Sequence, residues 1–307
     1  MEVVFLGTTA AIPTKKRAHT AIALRYEGEV ILWDCGEGVQ RQLIKSGISY
    51  MKVRRVFITH LHGDHFLGLA GLIQTLGFAG RSEVLEVYGP PGVEGVVRRM
   101  LELGYFELGY ELRVVELHRG FVLEEENYRI SALEVEHGLP AFGLVFEEKK
   151  GRRFLREKAE ALGIPPGPLY KKLQRGESIV FEGRVISPED VLGEPKEGFK
   201  VVYSGDTRPV KSVERACSGA LLIHDSTFDH SLLEEAEERL HSTCVEAAEL
   251  AGRGGARILY LTHISPRYSD TRILETQARK VFPESHVAED FMRVDLQRLK
   301  KERGWWS

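Results

Sequence analysis

The chain has 307 residues, 43% of them hydrophobic, enough for one large domain or two of average size. Its net charge of −3 excludes a global basic bias toward nucleic acid or anionic membrane. Three widely spaced cysteines, Cys35, Cys217 and Cys244, exclude a disulfide framework, and the least charged stretch, residues 66–80, is too short for a membrane span. A cytoplasmic protein is expected, with no secretory leader in residues 1–7.

Residues 1–6 (MEVVFL) read as a short apolar strand closed by Gly7, followed by a Pro13-containing loop with three basic residues. Residues 20–25 and 30–33 form a hairpin about Glu27-Gly28-Glu29. Gly36 and Gly38 precede a helix over residues 39–46. Residues 53–59 (VRRVFIT) make a buried strand, and residues 66–78 are apolar at helical spacing. Between them lies His60-Leu61-His62-Gly63-Asp64-His65, four metal-binding side chains at a strand-to-helix turn. Open α/β sheets place their ligands at such carboxyl ends. A packed core has no use for three imidazoles and a carboxylate side by side.

Strands follow at 84–88, 112–117, 121–123, 128–136 and 142–146, with a helix over 92–104. Residues 149–175 then hold nine basic side chains against two acidic ones, in a chain otherwise acidic, around the turn-rich Gly163-Ile164-Pro165-Pro166-Gly167-Pro168. This segment reads as an excursion from the domain that favours a phosphate-rich partner. Further strands at 200–203, 221–223, 257–261 and 287–288 alternate with helices over 232–240, 243–251 and 271–282. The chain closes on a basic segment with Trp305-Trp306, and its strands and helices suggest two halves.

Ligand-type residues recur at strand ends: the His60 cluster, His137, Asp206, Asp225 and His263. Five histidines and two aspartates, His60, His62, Asp64, His65, His137, Asp206 and His263, exceed one tetrahedral ion and suit two metals bridged by a carboxylate. Imidazole and carboxylate without thiolate fit zinc, with manganese or iron as substitutes. A hydrolytic site follows, because such a set leaves room for a bridging water.

These residues resemble the metallo-β-lactamase superfamily and, more closely, its ribonuclease Z family. The resemblance spans nearly the whole chain. Its marks include Phe5-Leu6-Gly7-Thr8, Pro13-Thr14-Lys15-Lys16-Arg17 and Asp34-Cys35-Gly36-Glu37-Gly38. It also has Gly205-Asp206-Thr207-Arg208, His241-Ser242-Thr243 and Thr262-His263-Ile264-Ser265-Pro266-Arg267-Tyr268. The most specific mark is the basic insert, which is similar to the family's tRNA-gripping arm.

The resemblance implies an α/β fold, a four-layer αβ/βα sandwich forming a single domain over 1–307 with the arm at about 148–178. It implies a zinc-dependent endoribonuclease that removes the 3′ trailer of precursor tRNA after the discriminator base and leaves a tRNA 3′-hydroxyl. By the same resemblance His60, His62 and His137 hold one zinc, Asp64, His65 and His263 the other, and Asp206 bridges. Asp64 orients the attacking hydroxide, and His241 protonates the leaving oxygen with Asp225 behind it. Lys15, Arg17, Arg267, Lys149, Lys150, Arg152, Arg153, Lys171 and Lys172 are the expected RNA contacts, in a homodimer whose arms serve the partner's site. Ala18 stands where the family has Asn, and Asp225 where it has Glu. The alternative within the superfamily is a hydrolase of small phosphodiesters or sulfate esters, which should lack the basic arm. A metal-stabilised RNA-binding protein without turnover should have lost a ligand or His241, and none is missing.

Overall fold

The computed structural model describes residues 1–150, 152–194 and 197–306. The first sheet holds β1 (Glu2–Gly7), β2 (Ala21–Tyr26), β3 (Glu29–Trp33), β4 (Val53–Phe57), β5 (Leu85–Gly89) and β6 (Leu112–Glu116). The second holds β7 (Val122–Glu124), β8 (Tyr128–Glu134), β9 (Phe142–Glu148), β12 (Lys200–Tyr203), β13 (Leu221–Asp225), β14 (Ile258–Thr262) and β15 (Ser285–Val287). A last strand, β16 (Arg293–Asp295), returns to pair with β1, so the first sheet runs β16-β1-β2-β3-β4-β5-β6 and the second β15-β14-β13-β12-β9-β8-β7. Each sheet is antiparallel on one side and parallel on the other. The parallel strands β4, β13 and β14 are nearly continuous runs of buried residues, as strands covered on both faces must be.

Three apolar clusters separate four layers. The sheets pack through an aromatic core in which Trp33 of β3 stacks on Tyr203 of β12 at 5.9 Å between centroids. Outside the first sheet lie α1 (Val39–Lys45), α2 (Gly63–Phe66), α3 (Gly68–Phe78) and α4 (Val93–Leu101), of which α1, α3 and α4 bury one face. Outside the second lie α8 (Lys211–Ala216), α9 (Leu233–Glu238), α10 (Cys244–Gly254) and α11 (Arg272–Val281). Here α8, α10 and α11 cover the third cluster. This is the four-layer αβ/βα sandwich. The expected helix over 66–78 begins earlier and breaks at Leu67, because the turn must first raise Asp64 and His65 toward the strand ends.

The insert is a folded unit and not a bare loop. It contains α5 (Arg156–Ala161), α6 (Pro168–Gln174), the hairpin β10 (Ile179–Phe181) and β11 (Arg184–Ile186), and α7 (Pro188–Val191). Ala159, Ile164, Leu173, Ile179, Ile186 and Val191 close a core of their own. A bridge between Phe154 and Leu192 marks its root, so the unit continues past residue 178. That changes its charge: residues 153–193 carry seven basic and six acidic side chains. The basic character sits on particular residues, not on the unit as a whole.

The tail has a structural role. Helix α12 (Leu296–Arg303) leads to Trp306, which is fully buried, donates its indole N–H to Gly219 O at 2.9 Å and meets Phe199 edge-on. Phe199 follows the insert, and its carbonyl receives the Glu148 N–H at 2.8 Å, so the C-terminus is anchored near the insert's two connections.

Candidate metal and catalytic site

The carboxyl ends of the parallel strands meet at one edge of the sandwich. After β4 come His60, His62, Asp64 and His65. After β12 comes Asp206, β13 ends in Asp225, and β14 is followed by His263. His137 arrives from the loop after β8. Gly205 lets the β12 turn close in: at φ 61° it lies so near Thr59 that a Cβ would stand 3.2 Å from the Thr59 Cβ.

All seven expected ligands converge. His60 Nε2 and His137 Nε2 lie 3.0 and 3.1 Å from His62 Nδ1. Asp206 Oδ2 is 3.7 Å from His60 Nε2 and 3.8 Å from His137 Nε2 on one side. On the other it is 3.3 Å from His65 Nε2 and 3.1 Å from His263 Nε2. Asp64 Oδ2 stands 3.6 Å from His65 Nε2 and 3.4 Å from His263 Nε2. The seven fall into two groups, His60/His62/His137/Asp206 and Asp64/His65/His263, with Asp206 Oδ2 between them, and a third group of ligand-type side chains, Asp206/Asp225/His241/His263, overlaps both.

A ring of partners orients the imidazoles. Thr59 Oγ donates to Asp34, so the His60 Nδ1 beside it, 3.0 Å away, carries the proton. His65 Nδ1 donates to Asp34 Oδ2 at 2.8 Å, and His137 Nδ1 to Leu240 O at 3.0 Å. Thr227 Oγ donates to Asp225 Oδ1 and accepts from His263 Nδ1 at 2.9 Å. Each of these four rings therefore turns its Nε2 to the centre. Asp34 also accepts the Tyr203 hydroxyl at 2.8 Å, tying the site to the aromatic core.

Lone pairs and carboxylates facing one another repel unless a cation lies among them. Two buried atoms, His65 Nε2 and Asp206 Oδ1, have no hydrogen-bond partner. Burial opposes charge on His65, but Asp206 and Asp34 outweigh it and hold its pKa well above the ordinary histidine range. Burial and then His65 push that of His60 well below it. The donor set fits a pair of divalent ions, whose binding would displace protons from the cluster. Cys35 is absent from it: burial in the core pushes its thiol up, far from a thiolate ligand.

The third group brings in His241 and Asp225. His241 Nδ1 meets Asp225 Oδ2 at 2.8 Å, so the aspartate reaches the ring despite its shorter side chain. Asp225 is fully buried and also accepts the backbone N–H groups of Thr207 and Thr227. The His241 ring lies between those of His137 and His263, at 4.8 and 5.1 Å. Burial lowers its pKa, but Asp225 prevails and raises it to about 9. Arg208 holds the segment: it donates to His241 O at 2.5 Å and pairs with Glu246.

The expected RNA contacts divide. Lys15, Arg153, Lys171 and Lys172 are exposed and form no ion pair among the described residues. Arg17 faces inward, donating to Thr8 Oγ and Ala288 O at 2.6 Å each, and so anchors its own loop. Lys149 pairs with Glu124, Lys150 with Glu148, Arg152 with Glu189 and Arg267 with Glu235. Each of these four has an acidic partner within the fold that a phosphate would have to displace. The residues that sequence reasoning missed are the orienting ones: Thr59, Tyr203, Thr227 and Arg208. Local spacing carries no signal for their bonds to Asp34, His263 and Glu246, which span 25 to 169 residues.

The family model described as anti-Pycsar protein Apyc1 matches residues 1–150. The ribonuclease Z of Methanothermobacter thermautotrophicus is 51% identical over 297 residues, covering 96% of this chain and 97% of that protein. That of Methanosarcina acetivorans is 46% identical over 299 residues, covering 96% and 98%. The crystal structure of the short form of human tRNase Z superposes with a TM-score of 0.69 at 30% identity, covering 96% of this chain and 99% of that one.

Proposed function

Because this chain belongs to the ribonuclease Z family, an endoribonuclease family with the metallo-β-lactamase fold, we propose that it removes the 3′ trailer of precursor tRNA. The cut falls after the discriminator base and leaves a 3′-hydroxyl on the tRNA. The observation that carries this reading is the position of Asp206 Oδ2 between two imidazole groups, with the His241–Asp225 pair alongside.

His60, His62 and His137 would hold one divalent ion, Asp64, His65 and His263 a second, and Asp206 both. Zinc fits the donors best. When bound, such a pair supplies the Lewis acidity that makes water a nucleophile near neutral pH and offsets phosphate charge. The residues do the rest. Asp64 has one oxygen held by the Ala11 N–H at 2.8 Å, leaving the other to orient the attacking water and accept its proton. Water adds to phosphorus, the bond to the 3′-oxygen breaks, and His241 Nε2 delivers its proton to that oxygen. Asp225 fixes the ring and favours its charged form.

The chain acts as one domain with a tRNA-binding arm inserted near residues 148–194. Of the expected contacts, those exposed and without an ion pair among the described residues are Lys171 and Lys172 of α6, Arg153 and Lys15. A homodimer would let each arm grip the tRNA cut in the partner's site. No helix among the described residues is long and apolar enough to cross a membrane.

Incubation with a precursor tRNA, and mapping of the cut and its end groups, tests the function. Cleavage confined to other sites would refute it. The metal assignment predicts that Asp206→Ala binds fewer than two ions per chain by elemental analysis. Two zincs retained in that variant would remove Asp206 from the bridging position.

A further inference from the structure

We infer that His19 is a positioning residue for the reaction, holding the Asp64 carboxylate in place through the peptide backbone of Ala11. The inference rests on the reading of Asp64 given above. His19 itself touches neither ligand group. Its ring Nε2 lies 3.1 Å from Ala11 O, and the Ala11 N–H reaches Asp64 Oδ2 at 2.8 Å. A carbonyl can only accept, so Nε2 carries the shared proton. The ring's Nδ1 is buried and has no partner. An apolar side chain in the same place would leave no polar atom unsatisfied, so what the imidazole contributes is its one bond to Ala11.

Ala11 has something to be held against. Its φ of 50° is in the left-handed region, which an L-residue with a Cβ enters only under constraint. The rest of the loop is fixed independently: Thr8 Oγ and the Ala18 N–H bind Asp290, and the Ala10 N–H binds Ile264 O. Ala11 is therefore the point where strain is met by His19 on one side and Asp64 on the other. The packing is tight at the root of the histidine. A Cβ on Gly36 would come within 2.5 Å of both the His19 Cβ and the Asp64 carbonyl oxygen. Without the ring, Ala11 can relax, its N–H turns away, and Asp64 Oδ2 loses the donor that fixes the carboxylate's rotation.

The test uses four full-length proteins: His19→Ala, His19→Gln, Ala11→Gly and the His19→Ala/Ala11→Gly double variant. A misplacement of the water-orienting group should lower kcat in His19→Ala by on the order of 10-fold with KM nearly unchanged. The same factor should appear on precursor tRNA and on a small reporter phosphodiester. Independently of activity, dialysis against a chelator should strip one of the two metals from His19→Ala faster than from the parent protein, because Asp64 is then a looser ligand. Gln, whose amide can donate from a similar distance, should restore both properties. Ala11→Gly, in which glycine takes this φ without strain, gives the reference activity for the double variant. For the same reason the double variant should recover part of what His19→Ala loses, a non-additivity expected only if the two act through one peptide. A raised KM confined to tRNA would make His19 an RNA contact and overturn the inference. A double variant no better than His19→Ala, or a Gln variant no better than Ala, would overturn it too. The reporter and chelator readouts do not depend on tRNA being the substrate, so failure of the tRNA reading leaves them interpretable.

Discussion

His241→Ala should keep both metal ions yet lose turnover on precursor tRNA by on the order of 10²-fold or more, the usual scale for a missing proton donor. The ring shares a cluster with Asp206, Asp225 and His263 but is not one of the seven residues assigned to the ions, so its removal leaves that set intact. What disappears is the proton for the departing 3′-oxygen. A reporter diester with an acidic leaving group needs no such proton, and its hydrolysis should fall far less. Equal losses on both substrates would exclude the leaving-group role. The pH profile gives the second arm. Asp225 raises the His241 pKa against the opposing effect of burial. A general acid works only while protonated, so activity is lost as pH rises through its pKa. Asp225→Asn removes the raising charge and should move that alkaline limb to lower pH. Two dications nearby pull the limb down in both proteins, so the comparison is between variants and not with the metal-free value.

Replacing residues 153–193 with a short Gly/Ser linker should separate binding from chemistry. The unit has its own core and closes on itself at Phe154 and Leu192. It contains none of the seven ligands, so the two-metal centre should assemble and the reporter diester should still be cut. Precursor tRNA should lose affinity and turnover together, on the order of 10²-fold in kcat/KM, because remote contacts also position the scissile bond. The near-neutral charge of the unit locates the effect more narrowly. Lys171→Ala with Lys172→Ala should weaken binding uniformly across tRNAs and flatten the salt dependence by about one unit of slope for each phosphate no longer neutralised. Undiminished tRNA cleavage with an unchanged salt slope would leave the insert without a role in recognition.

The site was legible where its chemistry is local. Four ligands fall within six residues after β4, and the others each stand at the end of a strand whose apolar run announces it. The orienting ring was not legible: Asp34 reaches Thr59, His65 and Tyr203 from 25 to 169 residues away. Composition misjudged the insert for a similar reason. Its basic half is contiguous, but the acidic residues that complete the unit come later and join it only through the small core. Likewise the lysines and arginines at its root looked available because the glutamates that pair with them lie on other elements. The two seven-stranded sheets were visible only as two halves, since nothing in residues 293–295 says that they belong beside residues 2–4.

That last pairing bears on how the protein is made. As the chain leaves the ribosome, β1 through β6 emerge within the first 116 residues, but the strand that covers β1 spans residues 293–295. Throughout most of synthesis the first sheet carries an open edge formed by Val3, Val4 and Phe5, the kind of surface that recruits other strands. A chain stopped short of residue 293 would keep that edge for good. Synthesis of β16, after all seven ligand positions have been made, is what covers this edge and leaves β6 as the open edge of the first sheet.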